Sequence, residues 1–181
     1  MKTTLTSIMS QLASVSLLLI IGFTLISSTK VQAQVNISNT SLVRAVQEAA
    51  QYGIDYLKAK VSIDGLQLNA EIPTTRELMA TGLAVKNELR EDESMLFVFE
   101  KPSRDIFWMK DMRFPIDIMW IDSNGKVVQI EQNLQPCPLV LVCPGYAPAL
   151  DSQYVLETVS GLSQRYNIGL GTEVKIDLMR R

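Results

Sequence analysis

The sequence predicts an α+β fold: a small, mostly antiparallel β-barrel or sandwich with two or three short helices. Three observations indicate this class. Apolar or alternating runs of strand length recur through the second half of the chain. The dipeptides Asp64-Gly65 and Asn124-Gly125, which are typical of tight hairpin turns, separate pairs of such runs. Helical periodicity is confined to short segments between them.

The first 33 residues have the order of a secretory signal peptide. Lys2 precedes an apolar run from Val15 to Ile26, and Val31-Gln32-Ala33 presents small residues to a signal peptidase. The run is shorter than the roughly 20 residues that span a bilayer, which favours cleavage over the alternative of an uncleaved membrane anchor. We therefore expect an extracytoplasmic protein, periplasmic or secreted, with no stable membrane span after cleavage.

Charge and composition exclude several classes of function. Cleavage after Ala33 would remove Lys2 and Lys30 but no acid, which leaves 15 basic side chains against 19 acidic ones. This mild negative charge argues against nucleic acid as a partner. Histidine is absent, which rules out Ser-His-Asp and Cys-His catalysis and removes the usual zinc ligand. We expect no metal and no cofactor.

Residues 34–60 are expected to form a polar leader and an amphipathic helix. Apolar residues recur at three- and four-residue spacing from Ser41 to Lys58. Thr74-Thr-Arg-Glu77 has the spacing of a capping box, and predicts a second, short helix that runs to about Thr81. Gly82 is expected to end that helix in a left-handed conformation.

The remaining elements are mostly strands. Met95–Phe99 is apolar on both faces, which predicts a central strand. The other expected elements are strands at Val61–Ile63, Leu66–Ala70, Ile106–Met109, Ile116–Ile121, Lys126–Glu131, Tyr154–Val159 and Glu173–Ile176, and a helix near Gly161–Tyr166.

Cys137 and Cys143 are the two cysteines of the chain. In an oxidising compartment such a close pair is expected to form a disulfide that pins one loop. A redox-active pair is the alternative, but the spacing is not CxxC and prolines surround both residues. Between the cysteines lies the apolar run Leu139–Val142, which is either buried or an exposed contact surface.

Short motifs spread over most of the chain form a specific combination. They are Gly82-Leu83, Met95–Phe99, Phe107–Lys110, Pro115–Asp117, Asp122–Val127, Pro136–Pro138, Cys143-Pro144, Tyr154–Glu157, Gly161 and Ile168–Val174. In these motifs residues 61–177 resemble the DUF192 family (domain of unknown function 192), whose members are often exported. The resemblance implies a compact β-rich domain over residues 61–181 and no established enzyme activity.

The densest group of candidate binding residues lies between Phe107 and Asp117. A large aromatic ring, cations and a carboxylate in one short stretch are typical of a site for a sugar or another flat ligand. The alternative is that Trp108 and Met109 fill the core while Asp117 pairs with Lys110 or Arg113. The candidate ligand-binding residues are Trp108, Met109, Lys110, Arg113, Pro115 and Asp117.

These observations favour a non-catalytic ligand-binding or accessory module of the cell envelope, with no residue assigned to catalysis. One alternative is a histidine-free hydrolase that works through paired carboxylates including Asp117. Another is a protein-interaction domain that acts through the Cys137–Cys143 loop. For each of these functions, the ligand or partner of the protein is expected outside the cytoplasm.

Overall fold

The computed structural model describes residues 39–137 and 142–179. The predicted signal peptide, the start of the leader and most of the Leu139–Val142 run lie outside these residues. The described elements, in chain order, are α1 Asn39–Gln51, β1 Tyr56–Ile63, β2 Leu66–Pro73, α2 Arg76–Thr81, a 3₁₀ turn Gly82–Val85, β3 Glu93–Ser103, β4 Phe107–Trp108, β5 Ile116–Ile121, β6 Val127–Leu134, β7 Gly145–Tyr146, β8 Ser152–Val159, α3 Leu162–Arg165 and β9 Val174–Leu178.

Seven strands form one mixed sheet in the order β6-β5-β8-β3-β2-β1-β9, and β4 pairs with β7 in a separate two-stranded sheet. All the pairings are antiparallel except that of β2 with β3, which α2 and the 3₁₀ turn connect. The predicted α+β class with a mostly antiparallel sheet is therefore confirmed. The large sheet is open, so the sandwich-like alternative is the correct one and the barrel is not.

The hairpins form where the turn dipeptides predict them. Asp64 and Gly65 both have positive φ, 47° and 87°, as the right-handed twist of a two-residue hairpin requires. β1 and β2 pair along their whole length, from Tyr56 opposite Pro73 to Ile63 opposite Leu66.

The first helix is shorter than its periodicity predicts. It ends at Gln51 rather than Lys58, because the chain turns at Gly53 (φ 68°) and the Ile54 amide closes the turn on the Ala49 carbonyl. From Tyr56 the chain is already extended in β1. Lys58 belongs to β1, because the alternating sequence of residues 56–63 fits a strand and this strand pairs with β2 along its whole length.

The start of α2 is displaced by one residue from the predicted capping box. Thr75 is the N-cap, and its hydroxyl accepts a hydrogen bond from the Leu78 amide at 3.3 Å. The hydroxyl of Thr74 instead donates to the Asp55 carbonyl at 3.0 Å, across the end of the β1–β2 hairpin. Gly82 has positive φ as predicted, but its ψ of −139° lies outside the left-handed helical region.

The two faces of the sheet carry separate apolar clusters. One contains α1, the inward residues of β1 and β2, and the even-numbered residues of β3 and β8, such as Leu96 and Leu156. The other contains the odd-numbered residues Phe97 and Val155 together with Trp120 of β5. This second cluster is covered by loops and by the β4–β7 pair rather than by a long helix, and the candidate site lies there.

Candidate functional site

A cleft of about 210 Å³ opens beside the second cluster, between α2 with the 3₁₀ turn on one side and β4 on the other. We call it the Glu157 cleft, after the carboxyl group that lines it. Its lining residues are Met79, Ala80, Thr81, Gly82, Leu83, Phe97, Phe99, Ile106, Phe107, Trp108, Lys110, Met112 and Glu157.

Three phenylalanines form one wall of the cleft. Phe97 and Phe99 alternate along β3 and so face the same side of the sheet. Phe107 of β4 packs edge-on against both, with ring centroids 5.0 Å and 6.4 Å away, and against Trp120 at 6.1 Å. Edge-to-face contacts of this kind stabilise an aromatic cluster beyond the area that it buries. They fix β4, and therefore Trp108, against the sheet.

Glu157 is the acidic residue of the cleft. It lies on β8, opposite Met95 of β3 and Ile118 of β5, and only 5% of its surface is exposed. Its Oε2 atom is buried and has no hydrogen-bond partner. Loss of hydration raises the pKa of the Glu157 carboxyl to about 8, so this group keeps its proton at neutral pH.

Trp108 and Lys110 lie where the cleft meets solvent. Trp108 is 53% exposed although it is one of the largest apolar side chains of the protein. Lys110 is also exposed. Two of the residues predicted from sequence therefore line the cleft, one as an exposed ring and the other as a solvated cation.

Three of the other predicted residues lie apart from the cleft lining. Met109 is completely buried in the apolar cluster beneath Trp108. Arg113 donates a hydrogen bond to the side chain of Asn87 on the surface. Pro115 is half-buried directly before β5.

Asp117 occupies a buried position on the opposite face of the sheet from Glu157. Its Oδ1 accepts hydrogen bonds from the amides of Asn133 and Gly161, both at 2.9 Å. Its Oδ2 accepts from the amide of Ser163 at 3.0 Å and from the Ser163 hydroxyl at 2.7 Å. The predicted alternative, in which Asp117 pairs with Lys110 or Arg113, is wrong. Asp117 instead joins β5 to β6 and to the start of α3.

The residues that the sequence did not single out are Glu157, the phenylalanines and the segment around Gly82. A signal for them was present in the family resemblance. The motif segments Gly82-Leu83, Met95–Phe99, Phe107–Lys110 and Tyr154–Glu157 are far apart in the chain, yet each contributes lining residues to this one cleft. Nothing in their local sequence indicated that they meet.

The two cysteines lie at disulfide distance, with 2.11 Å between the sulfur atoms and 5.6 Å between the Cα atoms. The Cys137 amide donates to the Met109 carbonyl at 3.0 Å, which ties this loop to the residues behind Trp108. Val142 is 96% exposed, whereas residues 138–141 lie outside the described part of the chain. A protein contact through this loop stays a prediction.

Two other surface cavities are less suited to ligand binding. One, of about 230 Å³, is lined by charged groups such as Lys86 and Glu71, which already form an ion pair at 2.9 Å. The other, of about 420 Å³, lies on the surface of α1. Within residues 39–137 and 142–179, no cluster of three or more potential metal ligands occurs. No helix in the same ranges is long and apolar enough to cross a membrane.

Fold and site together define a β-rich α+β domain with one aromatic cleft that ends at a buried carboxyl group. The chain belongs to the DUF192 family, described as an uncharacterized ACR, whose model matches residues 59–176. The predicted resemblance is therefore confirmed. No curated protein matches the chain.

Two crystal structures share the fold. One, from Sinorhizobium meliloti 1021, is described as a proposed transcription regulator; it is 22% identical, with a TM-score of 0.59 over 67% of this chain and 93% of that one. The other is a protein of unknown function from Novosphingobium aromaticivorans, 26% identical, with a TM-score of 0.58 over 66% of this chain and 84% of that one. At these identities the similarity supports the architecture and assigns no activity.

Proposed function

We propose that this protein is an exported, non-catalytic module of the cell envelope that binds a small organic ligand in the Glu157 cleft. One observation carries the proposal: a cleft lined by aromatic rings reaches a buried carboxyl oxygen that has no partner. Such an oxygen costs about 1–3 kcal/mol when it is left unpaired. A ligand group that bonds to it would remove this cost.

The size and lining of the cleft indicate what kind of ligand fits. Its volume of about 210 Å³ is smaller than the roughly 300–1,000 Å³ of a typical drug-sized site. Its walls are mainly rings and aliphatic groups, with few polar atoms. A small, largely apolar molecule with one polar end matches this arrangement, and the exposed ring of Trp108 is available to cover it.

The arrangement of the carboxyl groups favours binding over hydrolysis. Carboxylate-based glycoside hydrolysis requires two acids roughly 5–10 Å apart in one cleft. Glu157 is the single acid among the described residues that line this cleft. Asp117, which the hydrolase alternative required, faces away and its oxygens are already bonded to Asn133, Gly161 and Ser163.

Binding is tested by a thermal-shift screen of small organic molecules, including glycans and cell-wall fragments. We expect at least one compound to raise the melting temperature of the wild type, and the Trp108→Ala variant to lose that shift. Tyr166→Ala is the matched control, because Tyr166 is 44% exposed but does not line the cleft. Stabilisation that survives in Trp108→Ala would contradict the site assignment.

Two observations support the proposal of export. The N-terminus has the order of a signal peptide, and the cysteine pair lies at disulfide distance. Disulfides persist mainly in oxidising compartments. The test is a fusion of residues 1–40 to a reporter enzyme that is active only outside the cytoplasm. We expect activity from this fusion and none when Leu17–Leu19 is replaced by three aspartates. Equal activity of the two fusions would refute export by this segment.

A further inference from the structure

The space beside Glu157 Oε2 is kept open by a glycine. A Cβ atom built on Gly82 would lie 3.8 Å from this oxygen and 3.5 Å from Cζ of Phe97. Gly82 also has a φ of 52°, which disfavours any other residue. The backbone of the 3₁₀ turn therefore passes close to the carboxyl group without covering it with a side chain.

The groups that face Glu157 from the neighbouring strands are not ionisable. Met95 and Phe97 of β3 and Ile118 of β5 lie around it. Lys110 of the cleft rim is the other charged residue among the described lining residues, and its side chain is in solvent. The described lining residues thus supply no positive charge at the bottom of the cleft to compensate an ionised carboxylate.

The cleft is also lined by aromatic rings. The faces of aromatic rings carry partial negative charge and attract cations, with Trp the most effective. Phe97, Phe99, Phe107 and Trp108 all line the cleft. An anionic ligand group would be repelled by the ionised form of the Glu157 carboxyl group. A neutral ligand would bond to the protonated carboxyl group and leave it uncharged, whereas a cationic ligand would favour the ionised form.

From this geometry we propose that the ligand carries a primary ammonium group that Glu157 holds at the bottom of the cleft, with its apolar body against the phenylalanines and Trp108. The inference rests on the proposed function, because it names the chemical class of the ligand for the same cleft. An ammonium group supplies both the hydrogen-bond donor that Oε2 lacks and the charge that an ionised carboxylate requires.

Binding of such a ligand is coupled to release of a proton. The free carboxyl group is protonated at neutral pH because burial raises its pKa to about 8. An ammonium ligand binds the ionised form, and the displaced carboxyl proton passes to solvent. The apparent affinity should therefore rise by close to tenfold per pH unit below about pH 8 and should level off above it.

Three probes with the same ring and chain length separate the possibilities: phenethylammonium, 2-phenylethanol and phenylacetate. Isothermal titration of the wild type should give an affinity for the cation about tenfold or more above that for the alcohol. Phenylacetate should bind most weakly. In Glu157→Gln, which keeps the shape of the side chain, the cation and the alcohol should bind within about threefold of each other, and the pH dependence should disappear.

Each outcome of these titrations supports or overturns the ammonium assignment. Equal or tighter binding of the alcohol or the acid by the wild type, lost in Trp108→Ala, would overturn the ammonium assignment while it supports the cleft as a ligand site. No saturable binding of phenethylammonium at millimolar concentration would also overturn it, and the broader screen would still test the proposed function. If Glu157→Gln does not fold, Glu157→Met serves as the second variant.

Lys110 provides the control for charge at the rim. Its cation is exposed and screened by water and salt, so it should oppose a buried ammonium group only weakly. The Lys110→Met variant should therefore keep the preference for phenethylammonium over the alcohol, with at most about a threefold gain in affinity for the cation. Loss of the preference in this variant would contradict the role assigned to Glu157.

Discussion

Two buried carboxyl groups lie on adjacent strands of the same sheet and have opposite surroundings. Asp117 of β5 is opposite Thr158, and Glu157 of β8 is opposite Ile118, one position along the same ladder. The two side chains therefore point to opposite faces. Asp117 accepts four hydrogen bonds, whereas Oε2 of Glu157 accepts none.

The difference separates a structural acid from a candidate ligand-binding acid. The donors around Asp117 come from β6 and from the start of α3, so its carboxylate joins β5 to the next strand and to a helix more than 40 residues further along the chain. The surroundings of Glu157 are apolar and open on one side into a cleft. Burial of a polar group is stabilising only when its partners are in place, and none of the described residues bonds to Oε2 of Glu157.

The largest effect is expected from removing the bonded acid. Asp117→Ala would leave the amides of Asn133, Gly161 and Ser163 without an acceptor, and should lower the free energy of unfolding by about 3–5 kcal/mol. Urea denaturation measures this loss. Asp151→Ala is the control, because Asp151 pairs with Arg104 at the surface, and its loss should cost less than about 1 kcal/mol. Equal costs would refute the contrast between the sites.

The second effect is a pH dependence specific to Glu157. Its folded-state pKa of about 8 lies above the ordinary value of 4.5, so the folded protein retains a proton that the unfolded chain has released. Stability should therefore fall as pH rises from about 4.5 to about 8, by at most about 1.4 kcal/mol per pH unit from this group. The difference between wild type and Glu157→Gln, measured by urea unfolding at several pH values, isolates this contribution.

The free energies of unfolding of the two proteins should be most similar near pH 4.5, and the wild type should become progressively less stable than Glu157→Gln as the pH approaches 8. A difference that is independent of pH would show that the carboxyl group titrates normally, and the two acids would then no longer differ in the way described.

The third effect is an increase in the free energy of unfolding, whereas the first is a decrease. Glu157→Met replaces an unpartnered carboxyl group by an apolar side chain of similar length, and should raise the free energy of unfolding by about 1–2 kcal/mol near neutral pH. Thermal unfolding followed by circular dichroism measures it. Destabilisation by more than about 1 kcal/mol would mean that Glu157 contributes to folding as Asp117 does.

The smallest effect probes a single donor to Asp117. Ser163→Ala removes the hydroxyl that lies 2.7 Å from Oδ2 but leaves the backbone amide of residue 163 in place. We expect a loss of about 1 kcal/mol in urea denaturation. Ser160→Ala is the control, because the Ser160 hydroxyl bonds to Asn133 at the surface, and its loss should change stability by less than about 0.5 kcal/mol.

Much of the fold could be predicted because it depends on local patterns. Alternating residues and turn dipeptides predicted the β1–β2 hairpin, the central position of β3 and the turn at Asn124-Gly125, all of which the structure contains. The helix that ends early at Gln51 shows the limit of such patterns. Residues 56–58 fit a helical period as well as a strand, and pairing with β2 decided between them.

The candidate site was predictable only in part. The exposed ring of Trp108 and the cation of Lys110 were identified from their density in one segment, and both line the cleft. Asp117 lies in the same segment, but strand alternation and the donors of three distant residues place it in the interior. Glu157 has no unusual neighbours in sequence, and its character arises from Met95, Ile118 and the turn at Gly82, which the fold brings together.

By itself, the sequence determined the fold class, most strand positions and the family, because these depend on residue patterns within short segments. The prediction of export also comes from the sequence, because it depends on the order of residues before Ala33. Only the tertiary structure decided which acid is hydrogen-bonded and which lines the cleft, because that choice depends on the register between β3, β5 and β8. Met95 and Glu157, which are 62 positions apart in the sequence, lie opposite each other there, and no local pattern predicts which side chains will face one another.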